Sequence, residues 1–177
     1  MPITLDDLEV FCIEKDHDTK SFDCGDDDLN DFVRSDCHQY REQWLSHTLL
    51  AKLRTDGRIV GFITLLSDSI VLETSEKKYL FDFHKKVYHF PALKIGRLGV
   101  QKDIQRQGVG EALLTYTVGV ATRMNNGLRV GCRFITVDAY PESVPWYQKN
   151  GFMFNGQENK ARKSKNRSMR YDLLRTP

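Results

Sequence analysis

Two glycines stand where a helix is expected to begin, and their spacing suggests a site that binds an anion. Gly108 and Gly110 follow a polar turn, and the apolar periodicity after them predicts a helix from Gly108 to about Met124. The first turn of a helix carries N–H groups without an internal partner, and its dipole is electropositive there. We therefore expect a diphosphate to bind at Gln105, Arg106, Gln107, Gly108, Val109 and Gly110.

The same glycines could instead serve close packing. The sequence also lacks residues that two common nucleotide-binding motifs require. A glycine at a helix entrance also permits close packing against another backbone segment. The dinucleotide-binding fingerprint needs three glycines, and only two stand here. A P-loop requires lysine and then serine or threonine after its second glycine, whereas Gly110 is followed by Glu111 and Ala112.

The turn resembles the acyl-CoA-binding segment of the GNAT acetyltransferase superfamily, whose pattern is R/Q-x-x-G-x-G/A after a strand. Here Gln105-Arg106-Gln107-Gly108-Val109-Gly110 follows the strand-like stretch Gly96 to Val100. Later the chain reads F-I-T-V-D-A from Phe134 to Ala139 and W-Y-Q-K-N-G-F from Trp146 to Phe152, which resembles the second half of that signature. The resemblance covers residues 20 to 174. It implies acetyl-CoA as acetyl donor and a primary amine as acceptor.

The resemblance also implies roles for the strand before the turn and for one tyrosine. The backbone of Leu98, Gly99 and Val100 would pair with the pantetheine amides, and an N–H near Val100 would stabilise charge on the thioester oxygen. Tyr147 stands where resembling families carry an acid tyrosine, and it would protonate the departing thiolate. A thiol has a pKa of about 8.5 and a phenol of about 10, so this transfer is uphill by about 2 kcal/mol. Without the resemblance, a tyrosine on a short helix is usually structural.

No residue is assigned as general base. The amine could attack directly in its neutral form, or a chain of water molecules could carry its proton away. Several side chains of a suitable type are also candidates for the base. These are Glu73, Glu76, His84, His89, Glu111, Asp138 and Glu142.

Two further motifs narrow the acceptor. Phe22-Asp23-Cys24-Gly25, followed by Leu29-Asn30-x-Phe32, resembles the N-terminal motif of GNAT toxins that acetylate the amino acid on charged tRNA. The run G-R-L-G-V resembles that branch's G-R-L-A-V-D, with Gly99 for its alanine and Gln101 for its aspartate. This implies tRNA and an antitoxin as partners, and leaves a homodimer open. The alternatives are acetylation of a small-molecule or protein amine, and a non-catalytic acetyl-CoA-binding module.

Composition predicts one domain over residues 1–177 with no membrane segment. The net charge is +2, but Asp23 to Asp31 is acidic and Lys160 to Arg170 is basic. The basic run is either a solvated loop or an anion-binding surface. A signal segment and a long apolar run are both missing, which predicts a cytoplasmic protein. The cysteines lack metal-ligand spacing, so we expect no metal site.

The remaining periodicity predicts the elements that position these residues. We expect strands within 3–14, 48–53, 59–66, 93–100, 134–139, 152–154 and 168–174, and helices at 26–44, 108–124 and around Pro145. Asp56-Gly57 predicts a type I′ hairpin turn, and residues 73–90 remain helix or loop. The fold class is therefore α/β (α+β): a mixed, largely antiparallel twisted sheet of six to seven strands with helices on both faces. The resemblance adds splayed central strands, Leu93–Val100 and Phe134–Ala139.

Overall fold

The computed structural model describes residues 2–81, 87–156, 159 and 164–175, with Tyr79 described by its backbone alone. The chain divides into two compact units. Unit 1 comprises Met1–Leu66 and Ile95–Gly119, and unit 2 comprises Ser67–Lys94 and Val120–Pro177.

Seven strands within the described residues form one sheet. They are β1 (Leu8–Cys12), β2 (His47–Leu53), β3 (Ile59–Ile70), β4 (Phe90–Val100), β5 (Phe134–Ala139), β6 (Met153–Phe154) and β7 (Arg167–Asp172). The strand order is β1-β2-β3-β4-β5-β7-β6. The pairs β1–β2, β2–β3, β5–β7 and β6–β7 are antiparallel. The helices are α1 (Asp27–Asp31), α2 (Cys37–Glu42), α3 (Thr74–Leu80), α4 (Val109–Asn126) and α5 (Val144–Lys149). The mixed, mostly antiparallel fold class is confirmed.

The two faces of β3 in unit 1 carry different helices. A Cβ at Gly61 would lie 3.1 Å from Val109 and 3.2 Å from Leu113, so α4 packs closely on what we call the Gly61 face. Successive strand residues point to opposite faces, and Phe62 belongs to a buried cluster with Phe32 on the other side. We call this second side the Phe62 face. Helices therefore cover both faces of unit 1, as the pattern predicts.

The helix predicted for residues 26–44 contains a π-helical turn. Asp26 caps α1 by accepting the Leu29 N–H at 3.1 Å, and the turn Phe32–Asp36 connects α1 to α2. The extra residue per turn keeps Phe32 and Val33 buried in the cluster of the Phe62 face. Apolar spacing predicts a helix here but does not reveal this change of pitch.

The hairpin between β2 and β3 is confirmed, but the type I′ turn is wrong. That turn requires positive φ at both central residues, and of Asp56 and Gly57 only Gly57 has it, at φ 74°. The Leu53 N–H donates to the Arg58 carbonyl at 2.9 Å, which closes a wider loop. The left-handed glycine is correctly predicted, and the length of the loop is not.

Unit 2 has its own core between β3, β4 and β5. Ile70, Leu72, Phe90 and Phe134 are buried there, and the ring of Phe81 stacks on Phe90 at 4.7 Å. The ambiguous stretch 73–90 is helical over α3. Residues 82–86, with the candidate base His84, lie outside the described residues. No helix in the described part of the chain is long and apolar enough to cross a membrane.

Candidate functional site

The candidate phosphate turn lies in unit 1, between a short 3-10 helix at Lys102–Ile104 and the start of α4. Arg106 and Gly108 have positive φ values of 61° and 101°, so two residues of the turn adopt left-handed backbone conformations before Val109. Arg106 is exposed, while Val109 and Gly110 are buried in the first turn of α4. Helix α4 has 18 residues. Its electropositive N-terminal end therefore opens at the predicted position.

Gly108 is required by the protein's own N-terminal segment. A Cβ at Gly108 would collide with the backbone carbonyl of Ile3. The Ile3 N–H donates to the Gln107 carbonyl at 2.6 Å, which holds this segment against the turn. The close approach that a glycine permits is therefore used by Ile3, a residue that the sequence does not connect with the turn.

The loop at Asp23 and Cys24 holds the turn in place through hydrogen bonds. The Gln101 side chain accepts the Asp23 N–H at 2.9 Å, and the Lys102 N–H donates to the Asp23 carbonyl at 2.8 Å. The amide of Gln105 donates to the carbonyls of Cys24 and Val100 at 2.9 and 3.1 Å. Because its donor group is used in this way, the Gln105 side chain braces the turn and leaves any phosphate contact to the backbone.

Asn30 on α1 organises that bracing loop. Its side chain is buried with 3% exposed; its oxygen accepts the Cys24 N–H at 2.9 Å, and its nitrogen donates to Asp23 at 3.0 Å. The Gly25 N–H, and then the Asn30 amide, hold the pKa of Asp23 below its usual range. The motif F-D-C-G with its later asparagine is thus a scaffold for the turn, a role that spacing alone did not reveal.

We expect Asn30→Ala to destabilise the protein by about 2–3 kcal/mol. The substitution leaves the buried Cys24 N–H without its acceptor and deprives Asp23 of a donor. Chemical denaturation would measure the loss, with Asp28→Ala, an exposed position on the same helix, as the control that should change stability little. A cost for Asn30→Ala no greater than that of the control would contradict this role.

Arg106 fits an anionic ligand. Its side chain is exposed, and within the described residues it has neither a hydrogen-bond nor an ion-pair partner. An exposed, unpaired guanidinium beside a helix N-terminus presents charge-assisted donors to a phosphate. The residues present on this turn therefore suit the diphosphate of an acyl-CoA.

The predicted strand residues lie at the end of β4. Leu98 and Val100 are half-buried and Gly99 is buried. A Cβ at Gly99 would lie 2.5 Å from the Phe62 ring, so this glycine makes room for a core aromatic. Since Leu98, Gly99 and Val100 adjoin the turn, the structure brings together in unit 1 all nine residues predicted for the cofactor.

Tyr147, the predicted acid, lies on α5 in unit 2. Its side chain is 6% exposed, and its ring lies 4.9 Å from Trp146 and 5.2 Å from Phe152. Burial raises the pKa of its phenol above the ordinary value of 10.0. The short helix that carries it begins with Pro145 in its first turn, where a missing N–H costs nothing.

Several of the carboxylates considered as bases have structural partners. Glu76 pairs with Arg170, whose side chain is 3% exposed, and Asp138 pairs with Lys94 at 2.8 Å. Glu73 and Glu76 also cap α3. Across the described stretches no group of three or more potential ligands could hold a metal ion.

Comparison with known proteins places this geometry in a family. The sequence model of the acetyltransferase (GNAT) domain family matches residues 20–173 of this chain. Among similar solved structures, a bacterial toxin is 19% identical, with a TM-score of 0.75 over 98% of this chain and 92% of that chain. AtaT complexed with acetyl-methionyl-tRNAfMet is 20% identical, with a TM-score of 0.75 over 94% of this chain and 95% of that chain. A tyrosine-to-phenylalanine mutant of KacT is 20% identical, with a TM-score of 0.77 over 94% of this chain and 95% of that chain. At these identities the structural likeness establishes the fold, and the match over residues 20–173 establishes the family. The chain belongs to the GNAT acetyltransferase domain family, whose members use acetyl-CoA as the acetyl donor.

Proposed function

We propose that this protein acetylates the α-amino group of an amino acid carried by tRNA. The observation that carries the proposal is the loop at Asp23 and Cys24, held by Asn30, which braces the phosphate turn. The same residues form the motif by which the chain resembles the toxin branch. The fold match to AtaT, whose structure contains acetyl-methionyl-tRNAfMet, supports this acceptor. We also propose that residues 1–177 act as one catalytic domain.

The residues of unit 1 would hold the donor. Arg106 and the N–H groups of Gly108, Val109 and Gly110 would bind its diphosphate. Gln105 and Gln107 would keep the turn in shape, and the backbone of Leu98, Gly99 and Val100 would pair with its amide groups. Bound acetyl-CoA supplies a thioester that is activated for attack by an amine.

Tyr147 would supply the proton for the leaving sulfur. Its raised pKa keeps the phenol protonated throughout the physiological range. A phenol is a weaker acid than a thiol, and burial widens that difference. Desolvation would raise the pKa of a leaving thiol in the same way, which offsets part of that difference. A tyrosine-to-phenylalanine mutant of AtaT has also been solved, which supports a functional tyrosine in this fold.

An α-amino group is a suitable acceptor for a site in which no residue is assigned to deprotonate the amine. An α-amino group has a pKa near 7.7–8.0, so roughly a tenth of it is neutral at pH 7. A lysine amine, with a pKa near 10.4, is less than ~0.1% neutral at that pH. The α-amino group therefore needs no strong base, whereas a lysine side chain does.

The direct test is transfer of radiolabelled acetyl from acetyl-CoA to purified aminoacyl-tRNA. We expect label on charged tRNA and none on uncharged tRNA, with the product identified as N-acetyl-aminoacyl ester by mass spectrometry. Label on small amines or protein lysines alone would reassign the acceptor. Binding of acetyl-CoA without thiol release on any amine would instead favour the non-catalytic module.

The partners follow from the same proposal. Acetylation of charged tRNA in the cytoplasm would block translation, so we expect expression of the protein to arrest growth. We further propose an antitoxin as a protein partner, as the AtaT toxin has been solved bound to the C-terminus of the antitoxin AtaR, and a homodimer. Light scattering would decide the oligomeric state, and harmless expression of an active enzyme would count against a toxic role.

A further inference from the structure

Arg97 on β4 is held against two aromatic rings. Its guanidinium lies 3.8 Å from the ring centroid of Phe32 and 5.7 Å from that of Tyr40. The two rings contact each other edge to face at 5.3 Å. Stacking on a ring face fixes the plane of a guanidinium and leaves the N–H groups on its edge available.

This half-buried cation lacks an anionic partner. Among the residues that the structure describes, none forms a hydrogen bond or an ion pair with the Arg97 side chain, although α1 carries the carboxylates of Asp27, Asp28 and Asp31. Arg41, the other half-buried arginine among the described residues of unit 1, has an ion-pair partner, and even the exposed Arg34 is hydrogen-bonded. Arg41 lies 2.8 Å from Glu14, and Arg34 donates to the Phe22 carbonyl at 2.6 Å. A partly desolvated charge without a counter-ion is costly, and the cation–π contact offsets only part of that cost.

Arg97 lies on the opposite side of the sheet from α4. It is two residues from Gly99, so both residues point to the same side of β4, and Gly99 contacts Phe62. Arg97 therefore lies on the Phe62 face, whereas α4 packs on the Gly61 face. Because the diphosphate is expected at the start of α4, the geometry disfavours Arg97 as a second ligand of the donor. Tyr40 is 37% exposed, so this corner of unit 1 reaches solvent.

We propose that Arg97 binds a backbone phosphate of the acceptor RNA. This inference rests on the proposed function and names the group that recognises the acceptor's nucleic acid. The planar fork of arginine suits a phosphate oxygen pair, and the stack on Phe32 holds it in place before the ligand arrives. Arg97 would thus select an acceptor that carries phosphate over a free amine.

The kinetic test compares two acceptors in wild type and Arg97→Gln. One is aminoacyl-tRNA, and the other is a 3′-aminoacyl adenosine without phosphate. We expect kcat/KM to fall about 10- to 100-fold on charged tRNA, the effect of losing one hydrogen bond to a charged group. It should change less than about twofold on the nucleoside, and the KM for acetyl-CoA should stay constant. Equal losses on both acceptors, or a raised KM for acetyl-CoA, would overturn the proposal.

Two variants separate recognition from folding. Arg97→Lys keeps the charge but not the fork, so it should fall between wild type and Arg97→Gln on charged tRNA. Lys20→Gln removes an exposed cation from the same unit and should leave both acceptors unaffected. A loss in Lys20→Gln as large as that in Arg97→Gln would show a general effect of charge and sink the specific role.

A binding measurement tests whether Arg97 contacts an RNA phosphate even if the protein does not acetylate charged tRNA. Fluorescence anisotropy with uncharged tRNA across a salt series gives the number of phosphate contacts. Arg97→Gln should lower the slope of log K against log salt by about one. An unchanged slope overturns the Arg97 proposal. Failure of wild type to acetylate charged tRNA, with the slope still changed, would overturn the proposed function alone.

Discussion

Tyr147→Phe should lower kcat by about 10²–10³-fold, within the range expected for loss of a general acid. The affinity for acetyl-CoA, measured by calorimetry, should stay within about twofold of wild type, because the residues proposed to hold the donor lie in unit 1. Stability should change little, since the ring that packs against Trp146 and Phe152 is retained. Expression of the variant should no longer arrest growth.

The pH profile gives a second readout for the same residue. Burial raises the pKa of Tyr147, so its protonated form is the one present below the ordinary phenol value of about 10. Loss of kcat through deprotonation of this acid should therefore begin only above that pH. Tyr171→Phe, in the same unit, is the matched control and should retain full activity. Equal activity of Tyr147→Phe and Tyr171→Phe would exclude the acid role.

The largest effect on stability is expected for Gly108→Ala. The new Cβ would meet the backbone of Ile3, which cannot rotate away as a side chain could. The residue would also have to keep φ at 101°, a region unfavourable for alanine. Together we expect a loss of about 3 kcal/mol or more, seen as a fall in Tm of about 10 °C, with weaker binding of acetyl-CoA.

Gly119→Ala is the control for this substitution. Gly119 lies exposed in α4, and a Cβ there would meet nothing within 4 Å. Alanine should therefore stabilise the helix by about 0.5–1 kcal/mol. If Ile3 is the obstacle, removing residues 1–3 should reduce the cost of Gly108→Ala. A cost that is unchanged in the shortened chain would attribute the whole effect to the backbone conformation.

Local signals were sufficient for the parts of the site that form one continuous segment. The strand, the polar turn and the helix from Leu98 to Gly110 follow each other in the chain, and each has its own signature in residue type and spacing. Helix starts and left-handed glycines depend on neighbouring residues. For this reason the position of the turn and the direction of α4 could be predicted before any tertiary contact was known.

Contacts between distant segments could not be predicted in this way. Arg170 belongs by sequence to a basic run suited to anions, yet in the fold it is buried beside Glu76 and Asn155. Of that run's described residues, Lys165 and Arg167 remain exposed. Likewise Gln105 matches a cofactor motif, and its side chain is used to hold Cys24. A pattern identifies a residue type, and packing decides what that side chain contacts.

By itself, the amino-acid sequence determined the family, the order of strands and helices along the chain, and the glycine turn at the entrance to α4. The family follows from the resemblance of its motifs, and the other two features follow from periodicity and backbone freedom, which are properties of short segments. Three contacts were revealed by the folded chain: Ile3 lies against Gly108, Asn30 braces the turn, and Arg97 lies over the ring of Phe32. These contacts join residues far apart in the chain, and their energies depend on burial and distance that arise only when the segments pack together.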